Sequence, residues 1–389
     1  MIASIGTYLP VWGRQGQRFT GADEDAVTLA VAAGRLAREG YGEAVTRVVL
    51  VSRDLPLLEG GNAASLLGGL GLPADVEVVE QVGGATAALD VLLSAPHGTL
   101  VIGADAGPRA GAAAAVVGST GVNLTPVARS NRSLPVTARD LSGHHYDYGD
   151  PRLLRDRGAV ATLSRSSEGK PDAIAGLPAK QARSLCAGEA PDVPTTGASS
   201  TLFCLAALAS SAGSVLAAVD QASVTTAVVQ GGEAVCRRDE RPVRDQPRAT
   251  YTDGPPIPIA LPAYDRAFDA KLRWQASTNS ESGGLDLPPR PHAAVRTSDG
   301  SVELTDLPRR GTVYTTSTIH VPVPGKATPY QLVIVELADV GVRSIMATTG
   351  AARPVGIGDR GEVVLRLVAT RSGIPDYGYA FRPDEELTA

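Results

Sequence analysis

The hydrophobic pattern of this chain changes once, and prolines mark the change. Up to residue 238, short β-branched runs alternate with small-residue stretches of helical length. From Gly311 to Arg382 only β-branched runs and turn signals remain. Between the two, residues 239–262 are rich in Pro, Asp and Arg and include Gly254-Pro255-Pro256-Ile257-Pro258. Proline at that density suits neither a helix interior nor a central strand, so this stretch reads as a linker. The expected fold is therefore α/β, a layered domain followed by a small all-β barrel. At 389 residues the chain is long enough for two domains.

In the first part, Val45–Val51, Val76–Val82, Thr99–Ala104 and Ala112–Val117 read as buried strands. Gly61–Gly69 and Gly84–Ser94 read as helices between them. A second such succession begins near Pro171, with Ser199–Ser210 as a buried helix and Val224–Val229 as a strand closed by Gly231-Gly232. After the linker, Ala263–Trp274 reads as a short amphipathic helix and residues 275–309 as polar and turn-rich. Thr312–Val321, Tyr330–Glu336, Arg343–Thr349 and Gly361–Val368 read as barrel strands.

Composition excludes some functions. Hydrophobic residues are 43% and charged residues 20%, ordinary for a soluble protein. A net charge of −5 supplies no basic face for phosphates, so no nucleic-acid partner is expected. No basic segment leads into an apolar one at the start, and no apolar run approaches the ~20 residues that span a bilayer. A cytoplasmic protein with no membrane partner is the expectation. The three cysteines, Cys186, Cys204 and Cys236, are far apart and make neither a disulfide framework nor a metal pair. Cys204, inside Leu202-Phe203-Cys204-Leu205, reads as a small buried hydrophobe.

Particular segments add a resemblance. Ile2-Ala3-Ser4-Ile5-Gly6-Thr7-Tyr8-Leu9-Pro10 and Ala22-Asp23-Glu24-Asp25-Ala26-Val27-Thr28-Leu29-Ala30 resemble the start of hydroxymethylglutaryl-CoA synthase-like proteins of the thiolase fold. Asn62–Leu72, Gly83–Leu89, Thr99–Asp105 and Thr195–Ser200 follow in the family's order. Gly311-Thr312-Val313-Tyr314, Ile319-His320-Val321-Pro322, Val333-Ile334-Val335-Glu336-Leu337 and Tyr379-Ala380-Phe381-Arg382-Pro383 resemble the acyl-CoA-associated OB-fold domain that accompanies thiolases. The resemblance divides the chain into a shortened thiolase-like domain (1–238), a linker (239–262), a helix with a zinc-ribbon-like segment (263–309), and an OB-fold domain with its tail (310–389).

That family condenses acyl groups with Cys, His and Glu. The thiolate takes the acyl group, the His acts on the incoming thioester, and the Glu moves the proton. Matching Gly84-Ala85-Thr86-Ala87-Ala88-Leu89 to the helix behind the nucleophile puts Val82 at the cysteine. Arg53 falls at the glutamate, with Asp54 beside it, and Gly176 at the histidine. No Cys precedes Cys186 and no His lies between His145 and His292, so a slipped alignment rescues neither. The family's zinc ribbon uses two CxxC pairs. Here Trp274-Gln275-Ala276-Ser277 and Pro288-Pro289-Arg290-Pro291-His292-Ala293 keep the frame without cysteine, and a tetrahedral site needs four soft or imidazole ligands. Zinc is expected absent, and no cofactor is expected.

Gly143-His144-His145-Tyr146-Asp147-Tyr148-Gly149-Asp150 offers His144 and His145 as alternative bases or metal ligands, alongside Asp54. Neighbours on an extended chain face opposite ways, which favours a plain loop. The resemblance puts Gly197, Ser199, Gly231 and Gly232 near the family's pocket as ligand contacts, although a tight turn alone explains Gly231-Gly232. Arg237, Arg238, Arg241 and Arg244 form the one dense basic run that suits CoA phosphates, although a solvated run in the linker explains it as well.

Three functions compete. The first is a non-catalytic partner of a thiolase or ketosynthase, or of itself as a homodimer, with an acyl carrier protein as a further partner. The second is a cysteine-free acyltransferase that positions acyl-CoA. The third is an acyl-CoA-binding regulator.

Overall fold

The computed structural model describes the chain except residues 133–134, 141–143, 167–168, 255–257, 259, 322–323, 325 and 385–389, and the side chains of His145 and Ser166. Gly143, Pro255, Pro256, Ile257 and Pro322 of the segments above lie outside the described residues.

Residues near the start build a sheet of β-branched and small residues. In chain order come β1 (Ile2–Tyr8), a small hairpin of β2 (Gly13–Arg14) and β3 (Gln17–Arg18), α1 (Ala26–Glu39), β4 (Arg47–Ser52), α2 (Ala63–Leu70), β5 (Glu77–Val82), α3 (Ala85–Ser94), β6 (Thr99–Asp105) and β7 (Gly111–Val117). The sheet runs β5-β4-β6-β7-β1. β4 lies parallel to β5 and β6, and β7 is antiparallel to β6 and β1. β6 and β7 are buried along their whole length, as runs without polar alternation require.

The next stretch repeats this plan. It comprises β8 (Asn123–Asn131), a hairpin of β9 (Thr137–Arg139) and β10 (His145–Asp147), α4 (Pro151–Arg157), α5 (Ala159–Ser166), β11 (Ala173–Ala175), α6 (Ala179–Leu185), α7 (Ala198–Leu208), β12 (Ser214–Asp220) and β13 (Ser223–Gln230). The second sheet runs β11-β12-β13-β8. β11 is parallel to β12, and β13 is antiparallel to both β12 and β8. Strand for strand this is β4-β6-β7-β1 again. β5 has no counterpart among the described residues, where α6 and coil lead from β11 to α7. The expected layered α/β fold is thus visible in the strand order itself, as a duplication. α3 and α7 share one core with residues of both sheets, among them Leu89, Val101, Leu202, Leu205 and Leu216. α7 is buried on nearly all sides, which a helix without a polar face requires.

β14 (Val235–Asp239) adds to the first sheet, parallel to β1, so the sequence expected as the start of a linker is strand at residue 239. The expected helix Ala263–Trp274 is two pieces: α8 (Leu261–Phe268) and a π-helical turn, Asp269–Arg273, ended by Trp274 at φ 59°. β15 (Gln275–Thr278), β16 (Leu285–Asp286) and β17 (Leu304–Asp306) make a small sheet within the region read as turns. The last five strands are β18 (Arg310–Ile319), β19 (Tyr330–Leu337), β20 (Arg343–Ala347), β21 (Arg360–Arg371) and β22 (Ile374–Pro383). They run β20-β19-β18-β21-β22, all antiparallel, around Val313, Val335, Val363, Leu365 and Phe381. A bridge from Thr348 to Phe381 links the two edge strands, as in a closing barrel.

Residue contacts divide the chain into two units. One comprises Met1–Thr20, Leu29–Ala63 and Asp75–Val243, and the other Gly21–Thr28, Ala64–Ala74 and Arg244–Ala389. The barrel unit thus includes two short segments from early in the chain. Among the described residues no helix is long and apolar enough to cross a membrane.

Gly103 in β6 lies against the start of α7, where an added Cβ would sit 2.7 Å from the Ala198 carbonyl and the Ser199 nitrogen. Gly103→Ala is expected to force α7 off the sheet and lower stability by about 1–3 kcal/mol, read from urea unfolding.

Candidate functional site

The positions that the resemblance assigns to catalysis meet at the start of α3. Arg53 follows β4, Val82 ends β5, and Gly176 follows β11. Gly84, the residue before α3, has φ −115° and ψ −145°. A Cβ on it would meet Asp220 Oδ1 at 2.7 Å and Arg53 Nη2 at 2.8 Å. Gly176 has φ 93°, and a Cβ there would collide with the Val219 carbonyl and come within 3.2 Å of the Ala85 Cβ. No imidazole can be borne at that backbone position without moving β12. Val82 points largely into solvent, 56% exposed.

The start of α3 is already occupied. The Asp220 carboxylate, at the end of β12, accepts from the Thr86 hydroxyl at 2.8 Å and from the Thr86 amide at 3.4 Å. Arg53 Nη2 donates to its other oxygen at 2.9 Å. An anion belongs at a helix N-terminus, where amides are unsatisfied and the dipole is positive. Here that anion is the protein's own carboxylate, neutralised by a guanidinium. The hairpin β9–β10 closes over it, because Arg139 donates to the Arg53 carbonyl and Gln221 Oε1 accepts the Val136 and Thr137 amides at 2.9 and 2.7 Å.

The other half mirrors this arrangement. Gly197, before α7, has nearly the same backbone angles as Gly84, φ −102° and ψ −143°. Asp105, at the end of β6, accepts from the Ala198 amide at 2.8 Å, the Ser199 amide at 3.0 Å and the Ser199 hydroxyl at 2.5 Å. Burial pushes the Asp105 carboxyl up to about 6 despite these hydrogen bonds. Thr201 Oγ1 donates to the Ala85 carbonyl at 2.8 Å and the Gly176 amide to Ser200 Oγ at 3.1 Å, so the two helix starts are tied together. Each half therefore caps the other half's central helix.

Ser199 is thus a buried part of a cap, and the half-buried Gly197 precedes the helix that it caps. Gly231 and Gly232 follow β13, which runs antiparallel to β12, so they lie at the opposite end of that hairpin from Asp220. A Cβ on Gly232 would strike the Gly121 carbonyl, which accounts for that glycine by close backbone approach. Asp54 Oδ2 accepts the Ala106 amide at 2.9 Å. His144 is exposed and its Nδ1 lies 3.7 Å from Asp140, which also accepts from the Tyr146 hydroxyl. His145 stands in β10, with its side chain outside what is described. Burial raises the Cys204 and Cys186 thiols, the opposite of the activation a nucleophile needs.

Asp220, Asp105 and Thr86 escaped the sequence reading. A signal exists. Gly84-Ala85-Thr86 and Gly197-Ala198-Ser199 are one motif, and each half has an apolar strand that ends in Asp.

Hydrogen bonds hold the turns of the ribbon-like segment. Ser277 Oγ accepts the Arg290 amide at 2.9 Å, and the Ser280 amide and hydroxyl donate to the Ala293 carbonyl at 2.7 and 2.9 Å. Asn279 Oδ1 accepts the Glu281 and Ser282 amides at 3.0 Å. His292, the segment's one imidazole, is exposed. Among the described residues no three His, Cys, Asp or Glu side chains converge on a metal position.

The profile of the ChsH2 C-terminal OB-fold domain matches residues 304–366, which identifies the barrel as an OB-fold domain. No curated protein sequence matches the chain. Among solved structures, the tetronic acid condensing enzyme AbyA1 shares 18% identity over 59% of this chain and 99% of its own, with a TM-score of 0.44. FabH, 3-oxoacyl-(acyl carrier protein) synthase III of Pseudomonas aeruginosa PAO1, shares 13% over 60% and 98%, TM-score 0.43. A variant of Xanthomonas campestris OleA shares 14% over 59% and 96%, TM-score 0.46.

Two outcomes are expected at the paired caps. Asp220→Ala strips the α3 cap and strands Arg53, costing about 1–2 kcal/mol, whereas the half-exposed Arg53→Ala costs about 0–1 kcal/mol. Urea unfolding separates them. The Asp105 carboxyl binds its proton more tightly folded, near 6, than unfolded, near 3.8. Its contribution is therefore greatest below the unfolded value and is lost as pH rises through about 6, with a slope of up to about 1.4 kcal/mol per pH unit. Melting across that window should show wild type losing more stability than Asp105→Asn as pH rises.

Proposed function

We propose that this chain is a non-catalytic partner or scaffold in an acyl-CoA- or acyl-carrier-dependent condensing complex. Its α/β part descends from an enzyme of the hydroxymethylglutaryl-CoA synthase type. The observation that carries this reading is the Arg53–Asp220 pair seated on α3. A condensing enzyme needs that helix start for a thiolate, whose pKa the dipole lowers. Here a carboxylate fills it, Gly176 has no room for a side chain, and the two buried thiols are pushed up. Asp54, the remaining nearby acid, is engaged by the Ala106 amide. The reaction then belongs to a partner with an intact cysteine, a thiolase or ketosynthase. The chain itself pairs with that enzyme or with a second copy of itself, in the cytoplasm and without zinc.

Affinity capture from the native host with mass spectrometry is expected to recover a stoichiometric thiolase or ketosynthase. Incubation of the pure protein with acyl-CoA, followed by intact-mass measurement, should show no acyl adduct. Recovery of the protein alone, or an adduct on any residue, refutes the proposal.

Metal analysis of the purified protein should find no stoichiometric zinc, and a chelator should leave its melting temperature unchanged. Ser277→Ala and Asn279→Ala should each lower stability by about 1 kcal/mol, since hydrogen bonds hold those turns.

A further inference from the structure

The barrel unit contains two stretches of early sequence, Gly21–Thr28 and Ala64–Ala74, and holds both through polar contacts. Arg366, in β21 and nearly fully buried, places Nη2 3.2 Å from Glu24 Oε1 and Nε 3.5 Å from Asp23 Oδ2. The second Glu24 oxygen accepts the Gly21 amide at 2.9 Å, so the turn is shaped around the guanidinium. At the β21 bulge, the Leu367 amide donates to the Asp23 carbonyl at 2.9 Å. Tyr377 of β22 donates its hydroxyl to Asp25 Oδ2 at 2.6 Å. Asp25 Oδ1 meanwhile accepts the Thr28 amide at 2.9 Å and Thr28 Oγ1 accepts the Asp25 amide at 2.8 Å, a reciprocal cap on α1.

The second stretch is met by complementary chemistry. Around the last turn of α2, where carbonyls are unsatisfied, Arg273 Nη1 donates to the Leu72 carbonyl at 2.9 Å and Arg309 Nη2 to the Gly69 carbonyl at 3.5 Å. Gly68 lets Leu272 come close, since a Cβ there would sit 3.3 Å from the Leu272 Cβ. Cations thus meet a helix end, while a cation and a phenol meet an acidic helix start. Such a surface is selective. A buried guanidinium without its carboxylate is costly, so whatever covers Arg366 has to bring acid.

We propose that the barrel edge at β21, where Arg366 and Tyr377 reach the turn from opposite faces of the sheet, is a recognition surface for an acidic helix start, filled in cis by Asp23-Glu24-Asp25. A condensing enzyme that joins this protein therefore binds elsewhere. The surface works as an internal clasp, and its occupant is the chain's own acidic turn.

The test keeps the full chain. A protease site is inserted between Gln246 and Pro247, in the exposed stretch after β14, and cut after folding. The halves should stay together on gel filtration. Arg366→Glu should speed their separation at least tenfold, measured by exchange with isotope-labelled protein, and Tyr377→Phe severalfold. Adding Glu24→Arg to Arg366→Glu should restore slow separation. Melting of the uncut variants reports folding independently, and Tyr377→Phe keeps the test valid where the charge reversal does not fold. Nicked Tyr377→Phe that separates at the wild-type rate overturns the proposal. So does a charge swap that fails to restore a folded Arg366→Glu. A partner enzyme captured by wild type and lost from folded Tyr377→Phe would also overturn it, while leaving the scaffold reading intact. That reading fails only if no partner is captured at all.

Discussion

Two carboxylates exchanged between halves organise the α/β unit. Asp105 ends a strand of the first half and caps the central helix of the second, and Asp220 does the reverse. Each carboxylate sits on unsatisfied amides at the positive end of a helix, which offsets part of the cost of withdrawing its charge from water. The glycines before both helices follow from it, because a side chain at either would displace the acid. So does the chemical character of the place where Arg53, Val82 and Gly176 gather. The amides of that helix start already face an ion-paired aspartate.

Much of this architecture was legible in the sequence. The alternation of β-branched runs with small-residue stretches places β4, β5, β6, β7, α3 and α7 within a residue or two of their observed limits. Burial on both faces makes such runs conspicuous. β22 was missed because Pro375, Asp376, Gly378 and Pro383 interrupt its pattern, although the strand is almost wholly buried. The helix before Trp274 was read as one piece because apolar spacing does not register a π-helical turn.

The site was legible only in part. Arg53, Val82 and Gly176 do gather around α3, whereas Gly231 and Gly232 lie at the far end of an antiparallel hairpin. Their neighbourhood depends on strand direction, which hydrophobic pattern does not encode. Asp220 was hidden for a different reason. An aspartate at a strand end reads as an ordinary turn residue, and only the pairing of the two halves turns it into a cap. The serines and asparagine of the ribbon-like segment show the same limit. Their spacing is plain, but which carbonyl or amide each one meets is a property of the folded loop.

The contact between Tyr377 and Asp25 joins residues 352 positions apart. A ribosome adds roughly 5–20 residues per second, so the acidic turn waits roughly 20–70 s for the strands that cover it. During that interval Asp23, Glu24 and Asp25 are hydrated, and the start of α1 has its own reciprocal cap but no barrel. The late strands therefore act as a latch on the early turn, and a chain arrested before β22 lacks the phenol that holds Asp25.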